Sequence, residues 1–309
     1  MRRALDEAIA SQADAPAPPA VMALALRLRE RFGSHALAIL FYGSCRRAHD
    51  DAGGIVDLYV LVDGYRAAYG KVLPAIANRL LAPNVYYLEI PYAGRTARAK
   101  YAVVALEQFE RGIERWFHPY LWCRFAQPCG VLCVADEGVR KRVLAALRRA
   151  VVHFAARTMP QLPAEFDART LWTSGLRLTY AAELRSERPE KIARHYGDAE
   201  DELDARTRAL ATDAHWEVAA AGSWRNPNAR ARRLRSTCGW IVCRAQGKLL
   251  SVLRLLKASF TFDGGLSYLV WKIERQSGVR VEITPFMRRF PRLGGIGAMW
   301  RTWRRGGFS

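Results

Sequence analysis

Residues 36–63 read ALAILFYGSCRRAHDDAGGIVDLYVLVD and contain two apolar runs separated by a polar segment. The first run ends at Tyr42-Gly43-Ser44, and the second carries one acid, Asp57, near its start. Short apolar runs on either side of a glycine-bearing segment are typical of buried β-strands. We therefore predict two neighbouring strands, with Gly43 and Ser44 at the end of the first and Asp57 at the start of the second.

Gly43, Ser44 and Asp57 are candidates for a site that binds nucleotide phosphates. Because glycine has no Cβ, the backbone at Gly43 can come close to a phosphate, and Ser44 adds a hydroxyl beside its amide. A carboxylate at Asp57 could hold the Mg²⁺ that bridges the phosphates of a nucleotide. The same residues also fit an ordinary turn between two core strands, with Asp57 as a solvated acid.

The Gly-Ser pair followed by an Asp on the next strand resembles the polymerase-β-like nucleotidyltransferases. In that superfamily the second strand usually reads Asp-x-Asp or Asp-x-Glu, whereas this chain has Tyr59 at the third position. Lys100, on a later predicted strand, could reach the phosphates as a flexible cation. Glu89 is the candidate for a second metal-binding carboxylate. A solvated strand-end lysine and a sheet-edge glutamate would give the same pattern.

Composition restricts the class of protein and of partner. The 309 residues are half apolar, which suits a globular chain with one large core or two modest ones. A formal charge of +19 favours a polyanionic partner, namely nucleic acid, nucleotide or an anionic membrane. Six cysteines without zinc-site spacing are expected to be reduced thiols. No stretch has signal-peptide or membrane-spanning character, so we expect neither secretion nor integration into a membrane.

The predicted fold class is α+β, and four segments are expected. They are a loose Ala/Pro-rich segment at 1–20, a small mixed-sheet nucleotidyltransferase core at 21–135, a largely helical domain at 136–222, and a basic amphipathic region at 223–309. Within the helical domain we expect a helix over residues 163–187 and a break at 222–228.

The last segment is rich in cations. Residues 218–262 contain nine basic residues and no acidic one, and apolar residues at helical spacing lie among them. The final 27 residues add six arginines interleaved with aromatic residues. Such a pattern suits an interfacial membrane segment, a nucleic-acid groove, or a basic helix packed on the core with a disordered tail. The candidate membrane contacts are Lys248, Arg254, Lys257, Trp300 and Trp303.

Together with the motifs from Lys100 onward, the opening stretch resembles the mitochondrial phosphatidate cytidylyltransferases, of the translocator assembly and maintenance type, and their bacterial relatives. That family also has a lone Asp in place of Asp-x-Asp, which would account for Tyr59. The resemblance covers residues 36–196. It rests on Tyr42-Gly43-Ser44, Val56-Asp57-Leu58, Lys100-Tyr101, Tyr120, Arg124, Pro128, Leu178-Thr179-Tyr180, Glu183, Arg185 and Lys191. The chain departs from the family pattern at Pro119, Trp122-Cys123, Gln127, Thr179 and Ala182-Glu183.

The resemblance implies a magnesium-dependent enzyme that joins CTP and phosphatidate into CDP-diacylglycerol and pyrophosphate. Such an enzyme would be cytoplasmic and peripheral on the inner face of the cell membrane, or on the matrix face of the inner mitochondrial membrane. Nucleic acid is then not an expected partner, and the family's C-terminal membrane contact agrees with the basic tail. The implied roles are catalysis by Asp57 and Lys100, nucleotide binding by Gly43, Ser44, Tyr180 and Glu183, phosphate binding by Arg124, Arg185 and Lys191, and Mg²⁺ binding by Asp57 with Glu89.

Two alternatives remain open at the level of sequence. The first is a nucleotidyltransferase that acts on RNA or on a soluble small molecule. The second is a catalytically inactive relative that binds membranes or nucleic acid. Loss of catalysis would agree with Tyr59 at the position of the second carboxylate.

Overall fold

The computed structural model describes residues 3–47, 54–184, 188–227 and 233–261, with side chains to residue 258. Its centre is a mixed five-stranded sheet in an α+β arrangement, as predicted. The strands are β1 (Ala36–Tyr42), β2 (Val56–Val62), β3 (Asn84–Tyr92), β4 (Arg95–Ala105) and β5 (Gly130–Val134). They lie in the order β3-β4-β2-β1-β5, in which β2 and β4 are parallel and the other neighbours are antiparallel.

Helices surround this sheet in the described ranges. The first seven are α1 (Ala4–Ala13), α2 (Pro19–Phe32), α3 (Ser44–Arg47), α4 (Tyr65–Tyr69), α5 (Val72–Leu80), α6 (Leu106–Arg115) and α7 (Trp122–Ala126). They are followed by α8 (Glu137–Thr158), α9 (Ala168–Tyr180), α10 (Pro189–Gly197), α11 (Glu200–Asp213) and α12 (Arg233–Thr261). Local sequence signals determine where two of these helices begin. Pro19 is the first residue of α2. At the start of α8 the Asp136 carboxylate accepts a hydrogen bond from the Val139 amide, 2.8 Å away.

Alternate strand residues enter two different cores, one on each face of the sheet. Ile39 and Leu58 belong to the core beneath α2. Tyr59 and Leu61 belong to the core shared with α6, α7 and α8, and we call this side the helical face. Asp57 precedes Tyr59 by two residues, so it is also on the helical face. The predicted metal ligand therefore points toward the helical part of the chain.

The first part of the predicted basic region packs on this core. Trp240 and Cys243 of α12 are buried, and the Trp240 ring lies 6.3 Å from that of Trp122. At Gly247 the backbone comes so close to the loop after α9 that a Cβ would lie 2.1 Å from the Ala182 carbonyl oxygen. Residues 262–309, with Trp300 and Trp303, lie outside the described residues. Among the helices described, none combines the length and the apolar character needed to cross a bilayer.

The prediction of a loose segment over residues 1–20 is wrong. Ala4–Ala13 form α1, whose Leu5 and Ile9 are buried against the rest of the core. The first turn of α1 is held by a distant side chain, because the Ala4 amide donates to the Asp213 carboxylate at 3.0 Å. The alanines and prolines suggested a flexible segment, but the two apolar residues four positions apart are enough to anchor one short helix.

The predicted helix over residues 163–187 is also partly wrong. Residues Glu165–Asp167 form a short strand, β6, and α9 begins only at Ala168, where Asp167 caps it. The strand pairs with residues of the predicted break at 222–228. Together β6, β7 (Val218–Ala220) and β8 (Ser223–Arg225) make a small sheet in the order β6-β8-β7. Strands of three residues have no periodicity that a sequence pattern could reveal.

Candidate functional site

The turn after β1 closes directly on Asp57. Gly43 has a φ of +88°, in the left-handed region that favours glycine, and α3 begins at the next residue. A Cβ at Gly43 would lie 2.7 Å from Oδ2 of Asp57, so the close approach also requires glycine. Ser44 is exposed at this turn. The structure thus brings together the three residues that the opening stretch singled out.

Lys100 joins this group from the neighbouring strand. In the parallel pairing of β2 and β4, Asp57 and Lys100 are register partners, and Nζ of Lys100 lies 3.4 Å from Oδ1 of Asp57. Both side chains are partly exposed, 25% for Asp57 and 36% for Lys100, so a ligand can reach them. A carboxylate, a cation and a glycine turn therefore meet at one accessible edge of the sheet.

A buried arginine anchors the helix that follows Gly43. The guanidinium of Arg46 lies 2.6 Å from the Glu202 carboxylate of α11 and donates to the Gln12 carbonyl at 3.1 Å. Arg46 is 3% exposed, so this ion pair is shielded from solvent. Sequence patterns do not reveal this support, because the partners of Arg46 are more than 30 and 150 residues away along the chain.

Tyr59 lies two residues after Asp57 on β2, where the resemblance to nucleotidyltransferases leads one to expect a second carboxylate. Its ring is buried and packs edge-on against Phe125 at 4.9 Å and Tyr42 at 5.1 Å. Burial raises the pKa of the Tyr59 hydroxyl well above its ordinary value. A carboxylate at this position would be buried among aromatic rings, away from water. Within the described residues, Asp57 is the single acid that β2 contributes at this end of the sheet.

Arg124 and Glu183 form an ion pair on the helical face of the sheet. Nη2 of Arg124, on α7, lies 2.9 Å from Oε2 of Glu183, in the turn after α9. Arg124 also donates to the Tyr120 carbonyl, and its guanidinium lies 4.0 Å from the centre of the Tyr120 ring. Both charged side chains are mostly buried, with 22% and 16% exposed.

Tyr42 is a neighbour of both Asp57 and helix α7, which carries Arg124. It is the register partner of Asp57 on β1, and its ring lies 5.9 Å from that of Phe125 on α7. Burial, chiefly, and the negative charge of Asp57 raise the pKa of Tyr42 well above its ordinary value, while Arg124 opposes the rise. Both the Asp57 carboxylate and the Arg124 guanidinium therefore influence the pKa of this buried hydroxyl.

Arg254 of α12 lies next to Tyr120 and corrects a prediction. Its guanidinium lies 4.0 Å from the centre of the Tyr120 ring, so this ring is in cation–π contact with both Arg124 and Arg254. Nε of Arg254 donates to the Ala82 carbonyl at 3.0 Å. Lys257, one turn later, donates to the carbonyls of Leu81 and Pro83. Two of the three predicted membrane-contact cations of α12 therefore bind the protein's own backbone.

Other predicted site residues are not brought to Asp57. Glu89 lies on β3 with β4 between it and β2; its carboxylate accepts from the Tyr87 hydroxyl at 3.1 Å and is 3.8 Å from Arg98. The Tyr180 hydroxyl pairs with Nδ1 of His195 at 3.2 Å. Lys191 is exposed in the first turn of α10, Lys248 is exposed on α12, and Arg185 lies outside the described residues.

The described residues offer Mg²⁺ one carboxylate, that of Asp57. No group of three or more His, Cys, Asp or Glu side chains that could hold a metal occurs among them. One carboxylate is nevertheless sufficient as the protein's ligand when a nucleotide supplies the remaining oxygen ligands. Mg²⁺ is commonly bound by one or two carboxylates together with substrate phosphates. The residues therefore fit a metal that arrives with its nucleotide.

We expect Arg124→Gln to lower the free energy of unfolding by about 3 kcal/mol, because it leaves the Glu183 carboxylate buried without a partner. Glu183→Gln should cost a similar amount, and the double variant should cost less than the sum of the two. The pair Arg142–Glu110 is the matched control, since it has a 2.7 Å contact but a half-exposed arginine. Arg142→Gln should cost less than about 1 kcal/mol in the same urea titrations. Equal losses at both pairs would contradict the assignment.

Comparison with protein-family models and with curated proteins finds no match to this chain.

Proposed function

We propose that the protein is a nucleotidyltransferase that joins CTP to phosphatidate at a membrane surface, with CDP-diacylglycerol and pyrophosphate as products. The observation that carries the proposal is the convergence of Gly43, Asp57 and Lys100 at one accessible sheet edge. A cytidylyltransferase needs a close backbone approach, a metal-binding carboxylate and a cation at the phosphates of its nucleotide, and these three residues supply them.

Each residue of the site has a role in this proposal. The Gly43 turn and the Ser44 hydroxyl hold the β and γ phosphates, and Asp57 holds Mg²⁺, which neutralises charge on the triphosphate when bound. Lys100 lies beside Asp57 and is placed to exchange that contact for a phosphate oxygen. Arg124, held by Glu183 and Tyr120 on the helical face, contributes positive charge to phosphate binding in this proposal.

The chemistry requires no strong general base. The nucleophile is a phosphate oxygen of phosphatidate, which attacks the α-phosphorus of CTP while the bond to pyrophosphate breaks. Because the second pKa of a phosphate monoester is about 6, this oxygen is already largely ionised at neutral pH. Tyr59 in place of a second carboxylate is therefore compatible with the reaction. A hydroxyl nucleophile, by contrast, would need a general base to remove its proton.

The membrane half of the proposal is supported by α12. Its outer side presents exposed Leu249, Val252 and Leu255, and Lys248 lies beside them. Exposed leucines next to cations are typical of helices that lie in a membrane interface. A lipid substrate stays in the bilayer, so its enzyme has to come to the bilayer surface.

The test incubates the protein with Mg²⁺, phosphatidate vesicles and either α-labelled CTP or α-labelled ATP. We expect label from CTP to become extractable with the lipid, and label from ATP to remain in water. Phosphatidylglycerol vesicles, which lack a phosphate monoester, are the control and should accept no label. Transfer of label to added RNA, or to a soluble acceptor in the absence of vesicles, would favour the other class of nucleotidyltransferase. Absence of both transfer and magnesium-dependent CTP binding would favour an inactive relative.

A further inference from the structure

Helix α5 has its polar and apolar sides reversed relative to an ordinary surface helix. Val72, Leu73, Ile76 and Leu80 are exposed, with Leu73 at 81% and Leu80 at 79%, and we call these four residues the α5 stripe. The polar Asn78 faces inward, is fully buried, and donates to the Val103 carbonyl at 2.8 Å. A helix of a globular protein normally turns its apolar side to the core. An exposed apolar patch of this kind marks an interaction surface.

A cavity rich in arginine lies beside the α5 stripe. Its volume is about 750 Å³, and α5, α6 and α12 contribute to its lining. Arg79, Arg111 and Arg115 line it, and within the described residues none of the three makes an ion pair. Glu107 and Asp63 are the acids of the lining, and Asp63 already pairs with His35 at 2.8 Å. The cavity therefore has an excess of positive charge.

The opposite wall of the cavity belongs to α12. Gln246, Leu250 and Arg254 face the cavity at helical spacing, while Leu249 and Leu253 of the same helix are exposed outside it. Apolar residues are thus exposed on both helices that flank the arginines. Apolar side chains at acyl depth and guanidinium groups at phosphate depth are what an interfacial protein presents to an anionic bilayer.

We propose that the α5 stripe and the cavity arginines Arg79, Arg111 and Arg115 form a membrane-contact surface for anionic lipids. The stripe enters the acyl region, and the three guanidinium groups bind lipid phosphates. The inference rests on the proposed function, which identifies the partner as a bilayer. It adds a second membrane-contact surface, formed by α5 and α6, to the surface on α12. RNA phosphates could bind the arginines, but RNA has no acyl region that could cover the exposed Leu73 and Leu80. Charge and apolar exposure together therefore favour the bilayer.

The first experiment measures whether the α5 stripe enters lipid. A polarity-sensitive fluorophore is attached to Leu73→Cys in a Cys238→Ser background, because Cys238 is the exposed native cysteine among the described residues. With vesicles of phosphatidylglycerol and phosphatidylcholine we expect a blue shift and a brighter signal. The control is Leu26→Cys on α2, an exposed leucine outside both the α5 stripe and the cavity lining, which should not shift. Emission at Leu73→Cys that is already blue-shifted in buffer, or that vesicles leave unchanged, overturns the proposal.

The second experiment tests the arginines against a variant of equal charge. Arg79, Arg111 and Arg115 are all changed to Gln, and the control changes Arg27, Arg29 and Arg31 of α2 to Gln. Because each surface arginine adds about 1 kcal/mol of attraction to anionic lipid, we expect the first variant to bind vesicles about 100-fold more weakly. The control should lose much less. Equal weakening of the two would mean that only net charge matters, which overturns the proposed site.

Failure of the inference can be distinguished from failure of the proposed function. Vesicle binding is measured without CTP, and binding of magnesium and CTP is measured without vesicles. Loss of vesicle binding with intact CTP binding in the arginine variant is the expected result. A protein that binds vesicles through the α5 stripe but never binds CTP would end the proposed function and leave the membrane surface standing. A Leu73→Asp variant that dissociates a dimer and keeps vesicle binding would assign the stripe to a second copy and overturn the inference.

Discussion

Asp57→Asn is expected to lower the rate of label transfer from CTP to phosphatidate by about 10²- to 10³-fold, the range seen when one preorganised electrostatic group is removed. Asparagine keeps the shape of the side chain but loses the negative charge that attracts the metal. It also leaves Lys100 without the carboxylate 3.4 Å away. The measurements are the initial rate at saturating CTP and the affinity for magnesium and CTP by calorimetry.

A matched control lies at the other end of the same region. Asp63 directly follows β2, is partly exposed, and pairs with His35 at 2.8 Å. Asp63→Asn removes the same charge from the same protein, but away from Gly43 and Lys100. It should leave transfer within about twofold of the parent, because surface ion pairs contribute little. If both variants lose activity equally, net charge or folding explains the loss. If Asp57→Asn keeps most of the activity, Asp57 is not the metal ligand.

The contact between Gly43 and Asp57 could be predicted because it is local. The two strands follow one another along the chain, and consecutive strands usually lie side by side. In the structure Tyr42 and Asp57 are antiparallel partners, so the residue after Tyr42 has to turn beside Asp57. Lys100 was a less secure candidate, because its place depends on the parallel pairing of β2 and β4 across an intervening segment.

Glu89 illustrates what strand order conceals. By alternation it is on the same side of the sheet as Tyr87, whose register partner is Lys100. The sheet order, however, puts β4 between β3 and β2, and Arg98 lies opposite Glu89. A sequence lists strands along the chain, whereas a metal site depends on which strands are neighbours.

The orientation of α12 and α5 could not be predicted for a different reason. The sequence around Arg254 does not distinguish a guanidinium that binds a lipid phosphate from one that contacts the Ala82 carbonyl and the Tyr120 ring, as it does here. In α5 the apolar periodicity is present, but the side that turns outward depends on what α5 packs against. Buried Asn78, which binds the Val103 carbonyl of β4, fixes that choice.

Gly43→Ala is the second variant for which we expect a large effect. An alanine at a φ of +88° is strained, and its Cβ would lie 2.7 Å from Oδ2 of Asp57. Either the turn or the carboxylate has to move, and a displacement of about 1 Å in a reacting site can cost about 10²-fold in rate. We expect a loss of that size in label transfer, with weaker binding of magnesium and CTP.

Gly33→Ala separates backbone strain from the steric effect on Asp57. Gly33 also has a positive φ, +55°, but a Cβ there would meet no atom within 4 Å. Both variants should therefore lose about 1–2 kcal/mol of stability, and only Gly43→Ala should lose transfer activity. If the loss in Gly43→Ala comes from displacement of the Asp57 carboxylate, adding Gly43→Ala to Asp57→Asn should cause little further loss of transfer. Independent, multiplying losses would mean that the Gly43 turn acts on the phosphates directly and not through the position of Asp57.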